Sequence, residues 1–147
     1  MQHLKANDNI SWKHIIHTRV LYRDTDQMGV AYYANYFVWF EQGRTELMRH
    51  FGISYNEIEK RGIMLPVSTC SCKYHSSARY DDIIRIETHI QNLSPVSITF
   101  SYEIFRDDTN QLLATGQTKH PFLNSDGKIT KFGITLSKSL PNQSASR

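Results

Sequence analysis

Hydrophobic residues recur along this chain in two periods. From Trp12 to Arg23 they alternate. His14, Ile16, Thr18, Val20 and Tyr22 fall on one face, and Ile15, His17, Arg19 and Leu21 on the other. That period of two predicts a strand. Both faces carry apolar residues, so the strand reads as central in its sheet. From about Asn35 to His50 the period lengthens to that of a helix. Tyr36, Phe37, Phe40, Leu47 and Phe51 follow helical spacing, with Trp39 beside them. Asn35 is the candidate N-cap and Gly52 the candidate residue closing the helix. The first half is apolar around most of its circumference, which implies burial against more than one surface. Gly43 breaks the pattern, since glycine in a helix interior costs about 1 kcal/mol against alanine. Close approach of another backbone, such as a sheet lying across the helix, would offset that.

After the helix, Ser54–Lys60 predicts a short second helix, with Ser54 and Glu57 at capping-box spacing. The period then returns to two. Met64–His75 predicts a strand that begins around Pro66. Ile83–Leu93 predicts another, with Ile84, Ile86, Thr88 and Ile90 on one face. Val96–Arg106 follows, with Val96, Ile98, Phe100, Tyr102 and Ile104 inward. Gln111–Asn124 is a further strand after the turn Asp107–Asn110. A tight turn at Ser125–Gly127 leads to a short strand over Ile129–Ile134. One strand, one long helix, then four or five strands joined by short turns make an α+β pattern, a buried helix against a mainly antiparallel sheet. One helix covers one face of such a sheet. The other face or the edge then needs a partner, so the chain is expected to be a dimer or larger oligomer.

Composition narrows the classes. At 147 residues the chain is expected to form one domain, over residues 11–136, between a flexible arm (1–10) and a disordered tail (137–147). A net charge of +3 suits an anionic small ligand and is too weak and scattered for nucleic acid. Cys70 and Cys72 sit at i, i+2 on one strand face. Such neighbours rarely bridge, and they read as two buried strand thiols. The seven histidines and two cysteines show no metal-ligand spacing, so no metal site is expected. The N-terminal stretch has no apolar core and no cleavage pattern, and no apolar run approaches a membrane span. A reducing cytoplasm is the expected compartment.

The segment RVLYRDTDQMGVAYYANYFVWFEQGRTELMRHFG carries more than a helix. It holds an Asp-Thr-Asp, a glycine three residues after the second aspartate, a Tyr-x-x-x-Tyr leading into the helix, and Glu-x-x-Arg-Thr-Glu within it. The later YHSSARYDDIIRIET adds an aromatic, a small residue and an acidic pair opening a strand. These blocks resemble the hotdog-fold acyl-CoA thioesterases of the 4-hydroxybenzoyl-CoA thioesterase and YbgC type, over roughly Trp12 to Asn124. The resemblance implies the hotdog fold, a long central helix wrapped by a curved antiparallel sheet of five to six strands. It implies a homodimer or homotetramer with active sites at the dimer interface. It implies hydrolysis of an acyl-CoA, with coenzyme A as part of the substrate and no cofactor.

The resemblance assigns the catalytic carboxylate to Asp26 and the oxyanion donor to the backbone N–H of Tyr33. The roles make physical sense. A thioester carbonyl needs a carboxylate that attacks it or activates water. It also needs a donor for the developing oxyanion, and a helix start supplies unpaired N–H groups. Gly29 lets the loop fold back toward the helix. Asp24 reads as a residue of shape. Glu41 reads as supporting structure, although another hotdog clade takes its carboxylate from the helix. Tyr32, Tyr36, Phe37 and Trp39 are candidates for the acyl pocket, and His75 for proximity to the site. Lys73, Arg79, Arg85 and Arg106 are candidates for the coenzyme A phosphates. Two features depart from the family: in part of it a histidine stands at the position of Tyr33, and small residues are common where Met28 stands. Three other readings remain: an acyl-carrier-protein thioesterase, a hotdog hydratase or dehydratase, and a non-catalytic acyl-binding scaffold. The hydratase class pairs a histidine with its acid locally, and no histidine lies between Asp26 and His50.

Overall fold

The computed structural model describes residues 12–141 and the backbone pairing of Leu4–Lys5. Most of the expected arm, and the tail beyond residue 141, lie outside the described residues. Six strands form one antiparallel sheet: β1 (Leu4–Lys5), β2 (Lys13–Arg19), β3 (Thr69–Tyr74), β4 (Ile83–Leu93), β5 (Ser97–Arg106) and β6 (Gln111–Pro121). β4, β5, β6 and β3 pair in that order, and β1 and β2 both pair with the other side of β4. The long helix α1 (Asn35–His50) lies on the inner face against β2, β4 and β5.

Alternation explains the sandwich. Ile84, Ile86, Thr88 and Ile90 of β4, and Ile98, Phe100, Tyr102 and Ile104 of β5, are all fully or almost fully buried. They meet Tyr36, Trp39, Phe40, Gly43 and Leu47, which recur at three or four residues along α1. The Phe40 ring stacks on Tyr102 at 4.3 Å. Burying each such large apolar side chain contributes about 2–3 kcal/mol. This is the helix-in-sheet arrangement that the hotdog resemblance implies. The close approach expected at Gly43 is present, and it comes from side chains of the sheet. A Cβ there would lie 2.3 Å from Thr88 Oγ1 and 3.0 Å from Ile86 Cγ2.

Several expectations are corrected. β2 has β4 as its one strand partner among the described residues, so it is not central; the face with His14 meets α1, and the face with Ile15, His17 and Arg19 is exposed. Its last predicted residues form a 3₁₀ turn, Tyr22–Asp24. β3 starts at Thr69; before it, Met64 makes one bridge, to Leu123. Cys70 is exposed and Cys72 half-buried, so they are not two buried thiols; both are free. The short α2 (Tyr55–Lys60) forms as expected, with Ser54 Oγ accepting the Glu57 amide. The largest difference is at the end. Ile129 makes a single bridge, and Phe132–Ser139 is a helix, α3, which runs through the expected domain limit at residue 136. Phe132, Leu136 and Leu140 are buried at helical spacing, and the Trp12 indole N–H donates to the Pro141 carbonyl. Ordered structure thus extends beyond where a tail was expected to begin.

Candidate active site

The loop between β2 and α1 is built from its backbone outward. Val20 donates to the Asp82 carbonyl and accepts from the Asp81 amide, tying the loop's start to the start of β4. Asp24 then does structural work. Its Oδ2 accepts the Leu21 amide at 2.8 Å, and its carbonyl accepts both the Tyr32 amide (2.8 Å) and the Asn35 side-chain amide (2.7 Å). Asn35 is therefore a clamp on the loop rather than the helix cap. The cap position is Ala34, which offers no side-chain oxygen.

Asp26 sits at the tip. Its amide donates to the Val30 carbonyl, its carbonyl accepts from Gly29, and its Oδ1 accepts the Met28 amide at 2.8 Å. Gly29 adopts φ +77°, the left-handed region that lets the chain reverse here. The Asp26 carboxylate stays solvent-exposed along the wall of a cleft of about 310 Å³.

The start of α1 opens into the same cleft. Its first turn is tight: Asn35 N–H donates to Tyr32, Tyr36 N–H to Tyr33 at 3.4 Å, and Phe37 N–H to Ala34. The amides of Tyr33 and Ala34 find no acceptor among the described residues. With no capping side chain, the helix start keeps its partial positive charge and its donors for whatever enters the cleft.

The cleft gathers Asp26, Tyr33, Tyr36 and His75 of the residues singled out from sequence. His75 Nε2 pairs with Thr115 Oγ1 at 3.3 Å. Tyr36 is buried, its hydroxyl accepts the Ala78 amide at 3.1 Å, and burial pushes its phenol pKa up. Gly29, Tyr32 and Arg79 do not line it. Tyr32 lies beside Tyr33 at 4.7 Å, half-exposed, and a hydrogen bond with Tyr33 pushes its phenol pKa up. The Arg79 backbone bridges to Val30, and its amide donates to Asp82 Oδ2, while its side chain is exposed. Phe37 and Trp39 are spent on core packing. Arg85 pairs with Glu87 and Asp107, and Arg106 with Asp82 and the Ser77 carbonyl, so neither is a free cation. Lys73 and Arg79 are exposed. No cluster of three or more metal-ligating side chains occurs among the described residues.

Sequence reading missed Tyr74, Ser76 and Ser77, which complete the wall. The signal was present in the second block, YHSSAR. What hid their role is that β3 meets the loop only through the fold. Burial, and then the neighbouring Cys72 thiol, push the Tyr74 phenol pKa up. A second cavity, about 240 Å³, lies at the far end of α1 among Phe51, Ile58, Phe132 and Leu136, away from this carboxylate.

Residues 20–143 match the model of the thioesterase-like superfamily, a span that contains the whole cleft. The chain belongs to that superfamily. A protein of Aquifex aeolicus named a putative esterase is 32% identical over 115 residues, covering 78% of this chain and 88% of that protein. The acyl-CoA thioester hydrolase YbgC of Escherichia coli is 33% identical over 94 residues, 64% of this chain and 70% of its own length. The crystal structure of the DHNA-CoA thioesterase from Staphylococcus aureus superposes with a TM-score of 0.82 at 29% identity, over 86% of this chain and 87% of that one. The hotdog fold of these thioesterases is the fold of this chain.

Proposed function

We propose that the protein hydrolyses the thioester of an acyl-CoA to a free acid and coenzyme A. One observation carries the reading: an exposed carboxylate, Asp26, and the unpartnered amide of Tyr33 line one cleft at an uncapped helix start. The thioester carbonyl carbon is attacked by Asp26, or by a water from which Asp26 takes a proton. The carbonyl oxygen gains negative charge, which the Tyr33 amide and the helix start stabilise. The C–S bond breaks and the coenzyme A thiolate leaves, taking up a proton. If Asp26 itself attacks, water then cleaves the acyl-aspartyl anhydride. The chemistry as proposed draws on no cofactor or metal.

Tyr36 and His75 shape the acyl side of the cleft, Gly29 and Tyr32 shape its rim, and Arg79 with Lys73 offers charge to the coenzyme A phosphates. The outer edge of β3 is exposed along most of its length. Pairing of two such edges would make one continuous sheet and bring a second subunit against the cleft, as a homodimer. The free cysteines suit a reducing cytoplasm.

Asp26→Asn tests the reading. Turnover of the best substrate from a panel of short, long and aromatic acyl-CoAs should fall about a thousandfold, with coenzyme A affinity nearly unchanged. Near-normal turnover would overturn it. Single-turnover hydrolysis in ¹⁸O-water tests the covalent route: label in the Asp26 carboxylate shows that Asp26 attacked and that water cleaved the anhydride at the aspartyl carbon.

A further inference from the structure

β3 ends at Tyr74, and this side chain reaches back to the start of α1. Its hydroxyl donates to the Tyr33 carbonyl at 2.8 Å, joining positions 41 residues apart. Its ring stands edge-on to Tyr36 with centroids 5.0 Å apart, and it lines the cleft that holds Asp26. Tyr33 lies between two peptide planes, and both are anchored on their carbonyl sides. The plane before it is held by the Asn35 amide donating to the Tyr32 carbonyl at 2.9 Å. The plane after it is held by Tyr74. The helix's own bond to that second carbonyl, from the Tyr36 amide, is long, at 3.4 Å. Remove the Tyr74 hydroxyl and the second plane loses its short anchor. The Tyr33 N–H belongs to the first plane and the Ala34 N–H to the second; neither has an acceptor among the described residues, and the planes hinge at the Tyr33 Cα.

An oxyanion donor is effective because it is aimed before the charge develops. Freedom of the second plane turns the Ala34 N–H and, through the hinge at the Tyr33 Cα, loosens the Tyr33 N–H that the first plane carries. A phenol is protonated at neutral pH, so the Tyr74 hydroxyl is a donor there. We propose that Tyr74 is a positioning residue whose hydroxyl fixes the peptide plane joining Tyr33 to Ala34 and so steadies the adjoining Tyr33 N–H, so that the edge strand sets the strength of the oxyanion site. This rests on the Tyr33 amide being the oxyanion donor.

Tyr74→Phe keeps the ring and removes the anchor. Loss of a whole oxyanion donor lowers kcat by about 10²–10³, and loosening one should lower it about tenfold. KM and Tm should stay near wild type. A second readout is independent of turnover. In Asp26→Asn protein, a bound acyl-CoA labelled with ¹³C at the thioester carbonyl should show a lowered carbonyl stretch by infrared difference spectroscopy. In the Asp26→Asn, Tyr74→Phe double variant that stretch should move back toward the free thioester. Full kcat in Tyr74→Phe with an unmoved stretch would overturn the inference, as would a kcat loss that merely follows a fall in Tm. Full activity in Asp26→Asn is a different failure, since it would remove the reading of the site and the inference with it. An inactive Asp26→Asn beside a fully active Tyr74→Phe would remove the inference alone.

Discussion

Gly43 faces Thr88 across a close approach of helix and sheet, and the two residues explain each other. Alanine at position 43 would gain about 1 kcal/mol of helix propensity. Its Cβ would sit 2.3 Å from Thr88 Oγ1, and overpacking of that kind costs about 1–3 kcal/mol. Gly43→Ala should therefore lose about 1 kcal/mol in urea unfolding, and the same change in a Thr88→Ala background should be neutral or stabilising. Thr88 Oγ1 is buried and has no hydrogen-bond partner. Thr88→Val keeps the shape and removes the unsatisfied hydroxyl, and should raise stability by about 1 kcal/mol. The misfit of Gly43 with its helix was legible in the sequence. That its neighbour would be a threonine on the second turn of contacts was not, because register between α1 and β4 exists only in the folded chain.

The elements differ in how much of themselves they carry locally. α1 and β4 form over the limits their periodicity predicts, because each buries one continuous apolar face. β3 is shorter than its pattern: it pairs with β6 from Thr69 to Tyr74, and the residues from Pro66 to Ser68 stay outside the strand. The sequence pattern predicts a strand and then a tail where α3 forms. Its apolar positions are too few to define a period until they dock against the turn at Ser94–Pro95. Gly133 makes that docking possible: a Cβ there would lie 1.9 Å from the Ser94 carbonyl oxygen. Gly133→Ala should displace α3 and lower stability by about 2 kcal/mol, with faster amide exchange confined at first to residues 132–139. Unchanged exchange there would contradict the docking argument.

On the scale of the whole molecule, a buried polar chain runs beneath α1. Arg44 donates to the Tyr102 hydroxyl, which pairs with Thr118 Oγ1 at 2.5 Å. His120 Nδ1 donates to the Leu65 carbonyl, so its Nε2 accepts from Thr118 at 2.8 Å. Burial pulls the His120 pKa down from 6.5 to about 4. As pH falls below 6.5 the unfolded chain takes up a proton that the fold refuses, so stability falls with pH until about 4. The unfolding free energy should drop by about 2 kcal/mol between pH 7.5 and 5.0, and less in His120→Gln. Burial also lowers the His14 pKa, which adds to the slope in the same direction. Glu87 and Asp107 have pKa values below their ordinary 4.5 and 3.8, so their contributions are lost only at lower pH. The proposed dimer belongs to this scale too. Light scattering across a dilution series should find a dimer, and a monomer at every concentration would remove β3 pairing.

In the loop from Asp24 to Ala34, residues adjacent along the chain are enough to place a carboxylate a few residues before a buried helix. They are also enough to place a glycine that turns the chain between the two, and the alternating strands that follow. Those are properties of neighbours along the chain: periodicity, turn chemistry and a motif of fixed spacing. What closes the cleft depends on the fold. Tyr74, Ser76 and Ser77 lie more than forty residues from Asp26 and meet it because β3 is carried to the edge of the sheet by pairing with β6. The same pairing brings the Tyr74 hydroxyl to the Tyr33 carbonyl. Hydrogen-bond partners across such distances depend on strand order and register, and those are settled by burying the common core, which no local stretch encodes.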